Sequence, residues 1–279
     1  MKTGICTLPL IPLRSEPSER SEMISQILFG ELVEIQEESD SWSKIRTLAD
    51  NYTGWCTTKM LQSLPHSMFE KLEKMVPYLT KALLTPCTKI GETYPQLFLP
   101  AGSRLYFLDQ VKATFPVFKS NAADFSDLET VYWNIPVDSA FSSLSNISKS
   151  ELVQIATLFM NAPYLWGGKS ILGIDCSGLV QVVFSLFGKF LPRDARDQAL
   201  VGEAISELSN ARAGDLAFFN NAEGKIVHVG MLVDNGRIIH SSGFVHIDTL
   251  DAKGIFSDDL GKYTHELHSI KRYFPSLKD

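Results

Sequence analysis

Residues 163–188 read PYLWGGKSILGIDCSGLVQVVFSLFG, and this run decides the fold of the C-terminal half. Its first part is loop: Pro163 and the Gly167-Gly168 pair break any regular periodicity. From Ser177 to Phe187 the pattern turns helical, with Leu179, Val182, Val183 and Leu186 apolar and Gly188 closing the segment as a helix C-terminus does. Cys176 therefore stands where loop becomes helix. Unpaired N–H groups give a helix N-terminus partial positive charge, which lowers a thiol's pKa and offers donors to an oxyanion. A buried structural cysteine would want apolar neighbours, whereas Cys176 is flanked by Asp175 and Ser177.

Upstream of this run, Ser148 and Glu151 form a capping-box pair. A helix is predicted over Glu151–Asn161, with Leu152, Ile155, Ala156 and Phe159 on one face and Pro163 stopping it. Downstream, strands are predicted over Asp215–Phe219, Val227–Val233, Arg237–Ser241 and Ile270–Phe274, with a hairpin at Asn235-Gly236. Helices followed by an antiparallel sheet make an α+β domain, expected over residues 147–279.

The hairpin supplies a base for the thiol. His228 lies in one arm and His240 in the other. Counting outward from Asn235-Gly236 sets His240 opposite a residue near Met231, with His228 three residues further along. A small register shift then makes the two rings diagonal neighbours, and a ring–ring hydrogen bond would fix the tautomer of His228. The other histidines, His66, His246, His265 and His268, have no such setting and read as surface or structural.

The first half has a different character. Over residues 1–64, short β-type stretches at Gly4–Leu8, Leu32–Gln36, Trp42–Arg46 and Gly54–Thr57 are separated by polar turns, which suggests a small β-barrel. Over residues 68–146, β-type pieces at Tyr78–Leu84, Gln96–Leu99, Arg104–Leu108 and Val131–Ile135 are punctuated by prolines and suggest a second, looser barrel. With 279 residues, 44% hydrophobic and 21% charged, the chain has apolar material for real cores.

The net charge of −6 and the lack of any basic run argue against a nucleic-acid partner. No apolar run is long enough to span a membrane. The apolar stretch Ile5–Leu13 carries Pro9 and Pro12 and lacks a cleavage signature, so a cytoplasmic protein is expected, or an exported one whose leader has been removed. Cys6, Cys56, Cys87 and Cys176 form no C-x-x-C pair and no zinc-type cluster with histidine, so no metal or cofactor is expected. A Cys6–Cys56 disulfide is conceivable, but reduced thiols fit a cytosolic chain better.

The stretch Pro163–Gly168 followed by Asp175-Cys176-Ser177-Gly178-Leu179, with His228-Val229-Gly230 and the later His240, resembles the NlpC-type cell-wall cysteine peptidases of the papain-like superfamily. The resemblance is specific over residues 149–279. The first segment is similar to the bacterial SH3-like domains often joined to such enzymes. Arg14-Ser15-Glu16-Pro17, Ser21-Glu22-Met23 and Gly30-Glu31 look like a three-domain subgroup of γ-D-glutamyl-L-diamino acid endopeptidases of murein recycling.

The subgroup implies Cys176, His228 and His240 as the catalytic set. It implies an enzyme acting on a murein-derived peptide that begins L-Ala-γ-D-Glu and has a free amine; a monomer is expected. It further implies Asp175, Tyr52 and Glu22 (with Glu16 as runner-up) as acceptors for that amine, Ser177 as an assisting hydroxyl, and Tyr164 lining the nucleophile side of the cleft. Arg193 and Asp194 match the family's glutamate-binding stretch, whereas relatives often carry a hydroxyl residue where Ala195 stands. Two other readings of the same scaffold are a cysteine-dependent amidase or acyltransferase and a non-catalytic cell-wall peptide binder.

Overall fold

The computed structural model describes residues 2–107, 109, 111–118, 130–142 and 148–275. Met1, Leu108, Asn146, Ile147 and Asp279, where some expected boundaries fall, lie outside them. The chain divides into two compact units, 1–143 and 144–279.

The first unit opens with a seven-stranded antiparallel sheet made of β1 (Lys2–Cys6), β2 (Leu10–Arg14), β3 (Met23–Leu28), β4 (Leu32–Ser39), β5 (Trp42–Thr47), β6 (Thr53–Thr57) and β7 (Leu61–Leu64). Their order is β3-β2-β6-β5-β4-β1-β7. Alternate residues face one core that holds Cys6, Ile11, Leu13, Ile27, Val33, Ile45 and Cys56. Three strands (β2, β3 and β7) go beyond the four expected. Pro12 sits inside β2 without cost to the ladder, because β6 meets that strand only at Arg14. Cys6 and Cys56 share this core as free thiols, as do Cys87 and Cys176 elsewhere.

A helix, α1 (His66–Glu73), follows where only β structure was expected. It buries Met68, Phe69 and Leu72 against Ile5, Leu32, Leu64 and Tyr106. Seven short strands complete the unit: β8 (Tyr78–Thr80), β9 (Leu84–Lys89), β10 (Leu97–Pro100), β11 (Arg104–Leu105), β12 (Thr114–Phe118), β13 (Thr130–Asn134) and β14 (Ala140–Ser142). They form two small sheets, β10-β9-β13-β12 and β11-β8-β14. Their core takes in Phe29 from the turn between β3 and β4, edge-on to Phe115 at 5.8 Å between ring centres. Gly30 makes that approach possible: its φ is +78°, and a Cβ there would lie 2.0 Å from the Arg104 carbonyl oxygen.

The second unit begins with α2 (Lys149–Leu158), capped by the reciprocal Ser148–Glu151 box. Helix α2 ends before Asn161, whose φ is +66°. A two-strand ribbon, β15 (Lys169–Ser170) with β16 (Gly173–Ile174), leads into α3 (Cys176–Leu186), and the short α4 (Ala195–Gln198) follows. Ten of the eleven residues of α3 are buried, so it is the central helix of this unit rather than an amphipathic surface one.

It packs on a sheet of β17 (Glu203–Ile205), β18 (Leu216–Asn220), β19 (Ile226–Asp234), β20 (Arg237–Ser242), β21 (Phe244–Leu250), β22 (Gly254–Ser257) and β23 (Lys262–Arg272). The long β23 pairs with β18 through its C-terminal part and with β22 through its N-terminal part, so strands β18–β23 close on themselves. The expected last strand, Ile270–Phe274, thus begins eight residues earlier, at Lys262, and carries His265 into the sheet. Among the described residues no helix is long and apolar enough to cross a membrane.

Candidate active site

Helix α3 starts on a braced carboxylate. Asp175 is its N-cap, and Asp175 Oδ1 accepts the Gly178 N–H at 2.6 Å. The same carboxylate accepts the Gly167 N–H at 2.8 Å, the Ser177 hydroxyl at 3.3 Å and both terminal nitrogens of Arg193 at 2.6 and 3.1 Å. Arg193 also donates to Ser177 Oγ at 2.8 Å. Asp175 and Arg193 are 5% and 2% exposed, so this is a buried bidentate ion pair. The ammonium-acceptor role expected of Asp175 therefore meets a carboxylate already filled by the chain's own donors. Gly178 lets the loop press onto the first turn: a Cβ there would fall 2.3 Å from the Gly168 carbonyl oxygen. The Ser241 hydroxyl donates to the Ile174 carbonyl at 2.8 Å and ties β20 to the residue before this brace.

Cys176 is thereby fixed at the first position of α3, against β19. Its sulfur takes backbone hydrogen bonds from Val229, the residue after His228, and from Ser177. The expected lowering of the thiol by the helix N-terminus does not hold here. Burial pushes it up to about 12, the neighbouring Asp175 carboxylate adds to this, and the two N–H groups and Arg193 only partly offset them. His228 is shifted the other way, well below 6.5, first by burial and then by His240, His265 and His246. Both shifts favour the neutral forms, a thiol and an uncharged imidazole.

Behind His228 stands a buried relay. His228 Nε2 and His240 Nδ1 are 2.9 Å apart, and His240 Nε2 lies 3.3 Å from Asp248 Oδ2. All three side chains are buried. Asp248 escaped the sequence reading altogether. Ionised, it only accepts, so its contact requires a proton on His240 Nε2. His240 Nδ1 then accepts from His228 Nε2–H, and the lone pair of His228 is left on Nδ1.

Register brings the rings together. His240 faces Gly230, not Met231, because a bulge between Leu232 and Asp234 shifts the pairing by one residue. That shift places His228 two residues from the facing position, on the same face as His240. Gly230 makes room, since a Cβ there would lie 3.0 Å from His240 Cβ and 2.7 Å from Ile238 Cδ1.

Two histidines set aside as surface or structural belong to this cluster. His265 stacks on His228 with ring centres 4.2 Å apart, and burial lowers it to about 4. His246 faces His240 directly across β20 and β21 and contacts Asp248 Oδ2 at 3.1 Å. The misreading followed from missing β21 and the first half of β23. The Ser242-Gly243 pair, a tight-turn signal, could have revealed β21. His66 pairs with Glu70 on α1, and His268 contacts the adjacent Ser269. His240, His246 and Asp248 also bring three ligand-type atoms within 4.8 Å of one another, a set that close spacing in sequence does not reveal.

Of the remaining expected residues, Tyr164 is at the site: its hydroxyl is pushed up to about 12 by burial and by the nearby Cys176 and Asp175. Its N–H donates to the Gly243 carbonyl at 2.9 Å. Ser177 is held by Arg193, as above. Asp194 is the N-cap residue of α4 and pairs with Arg196 at 3.2 Å, while Ala195 is buried. Tyr52 and Glu22 lie in the first unit. Tyr52 packs against the core of the seven-stranded sheet, and its N–H donates to Thr47 Oγ1 at 3.0 Å. Glu22 is exposed between β2 and β3, its carbonyl accepting the Ser15 N–H at 3.0 Å, and Glu16 is exposed in the same turn.

This arrangement suits acyl transfer: a nucleophile at a helix N-terminus, an oriented imidazole, and N–H donors beside the sulfur. Residues 161–261 match the NlpC/P60 family, and residues 13–61 match the bacterial dipeptidyl-peptidase SH3 domain. The chain is 31% identical to the gamma-D-glutamyl-L-lysine dipeptidyl-peptidase of Bacillus subtilis, over 78% of this chain and 71% of that one. It is 29% identical to dipeptidyl-peptidase 6 of Lysinibacillus sphaericus, over 86% and 88% of the two chains. Among solved structures, an NlpC/P60 family protein from Bacillus cereus superposes with a TM-score of 0.81 at 20% identity, over 98% of this chain and all of that one.

Proposed function

We propose that this chain, which belongs to the NlpC/P60 family of cysteine peptidases, hydrolyses the amide between γ-D-Glu and a diamino acid in short murein peptides with a free N-terminal L-Ala, as a step in their recycling. The observation that carries the chemical part is the placement of Cys176 at the start of α3, beside the Val229 N–H and one residue from a His228 held through His240 by Asp248. The substrate part rests on the relatives, two of them named gamma-D-glutamyl-L-lysine dipeptidyl-peptidase and one dipeptidyl-peptidase 6.

In this reading the thiol loses its proton to His228 Nδ1 as its sulfur attacks the γ-carbonyl carbon, so no standing thiolate is needed. The N–H end of α3 faces the oxyanion. His228 returns the proton to the departing amine, and water, activated by the same imidazole, cleaves the thioester. Arg193 holds the start of α3 through Asp175, and Tyr164 lines the nucleophile's side. Incubation with L-Ala-γ-D-Glu-L-Lys is expected to release free lysine, and N-acetylation of the alanine is expected to block release. Equal turnover of the acetylated peptide overturns the requirement for a free amine, and an intact tripeptide overturns the substrate class.

The relay sets two further expectations. Activity needs neutral His228. Because its pKa is depressed, activity persists as pH falls through 6.5 and is lost only at lower pH. Asp248→Asn reverses the hydrogen-bond logic: an amide that donates to His240 Nε2 drives the proton on His228 to Nδ1, the wrong nitrogen. A fall in kcat on the order of 10²- to 10⁴-fold with little change in KM is expected. Wild-type kcat in this variant refutes the role of Asp248.

A further inference from the structure

We infer that His240 Nε2, His246 Nε2 and Asp248 Oδ2 form a binding site for a zinc-type divalent ion whose occupancy switches the peptidase off. The inhibitory half of this inference rests on the catalytic reading above; the binding half stands on geometry alone.

The three donors gather on one face of the β20–β21 hairpin. Asp248 Oδ2 lies 3.3 Å from His240 Nε2 and 3.1 Å from His246 Nε2, and all three atoms fall within 4.8 Å of one another. Bonds of about 2.0–2.1 Å at tetrahedral angles separate zinc ligands by roughly 3.3 Å. The donor set, two imidazoles and one carboxylate with a fourth position left over, is one zinc commonly takes. Strand geometry provides it: His240 and His246 are direct partners across the β20–β21 hairpin, and Asp248 is two residues beyond His246 on the same face.

The opposite nitrogens are already anchored, as metal-binding histidines require. His246 Nδ1 lies 2.8 Å from the Phe244 carbonyl oxygen, so the proton that Nε2 presents to Asp248 can move to Nδ1 and leave the Nε2 lone pair to the ion. His240 Nδ1 is held by His228. The His240 and Asp248 side chains are 1% and 6% exposed, whereas that of His246 is 17% exposed and gives the ion a way in.

Binding inverts the relay. The metal takes the lone pair of His240 Nε2, and the proton there must leave. His240 then carries its proton on Nδ1, taken from His228 Nε2. The displaced proton restores neutral His228 by adding to its Nδ1. The proton count is unchanged, but the lone pair facing the thiol is gone. The ion inhibits without touching Cys176.

Two measurements on the full chain test this. In calorimetric titration with zinc chloride, Cys176→Ala is expected to bind one ion, and Cys176→Ala/His246→Ala to bind it about tenfold or more weakly. In the peptidase assay zinc is expected to inhibit the wild type reversibly, with EDTA restoring the rate. His246→Ala, with its rates referred to its own zinc-free activity, should need about tenfold more zinc for half-inhibition. Absence of zinc binding by Cys176→Ala overturns the site, whatever the substrate proves to be. Equal inhibition of wild type and His246→Ala overturns the switch and places the ion on the thiol instead.

Discussion

Cys176→Ala is expected to lose hydrolysis of L-Ala-γ-D-Glu-L-Lys by a factor on the order of 10⁴ or more while keeping its fold. The whole covalent route passes through this sulfur. Without it, His228 can at best direct water, with no acyl intermediate to divide the barrier. The structural cost is small. The side chain is a single buried sulfur at a helix start whose cap, Asp175, and brace, Arg193, remain in place, so unfolding should move by only about 1 kcal/mol. Steady-state rates with matched urea unfolding curves check both halves. A variant retaining a tenth of wild-type activity removes Cys176 from the mechanism.

The second large effect is on stability. Arg193→Met is expected to destabilise the second unit by about 3–5 kcal/mol, because it strands the Asp175 carboxylate in a site where it is only 5% exposed. Asp175 is also the cap of α3, so the helix start loosens and Cys176 moves with it. Activity should fall beyond what the unfolded fraction explains. Adding Asp175→Asn to Arg193→Met removes the unpaired charge while leaving an oxygen for the Gly178 N–H. The double variant is therefore expected to recover part of the loss. Urea midpoints of the single and double variants measure this. A single variant within 1 kcal/mol of wild type contradicts the account of a buried, energetically committed pair.

The start of α3 was legible because it is a local event. Glycines, an Asp cap and a helical apolar period adjoin within one run, and Asn235-Gly236 announces its hairpin as plainly. Capping at Ser148 was equally readable. The rest depends on pairing register and on which strands meet, which residue types do not announce. The bulge between Leu232 and Asp234 changes the facing partner of His240 from Met231 to Gly230, and no residue type in the hairpin announces it. Asp248 and His246 join the site through the tight β20–β21 hairpin at Ser242-Gly243, and His265 through a β23 that pairs locally with β22 and at long range with β18. The direction of the thiol shift is not legible in the sequence. A helix N-terminus can be seen in sequence, but burial of Cys176 comes from elements packed on it from elsewhere. In the first half, α1 is hidden because its apolar face, Met68, Phe69 and Leu72, is short and sits among β-type segments.

At the centre of this account is a thioester between Cys176 and the γ-carboxyl of D-Glu. Hydroxylamine added during turnover of L-Ala-γ-D-Glu-L-Lys tests it most directly, with mass spectrometry of the products. The expected result is partition of the acyl group between the free dipeptide and its γ-hydroxamate, rising with hydroxylamine concentration, and neither product formed by Cys176→Ala. Continued release of lysine with free dipeptide alone, at every hydroxylamine concentration, would contradict it.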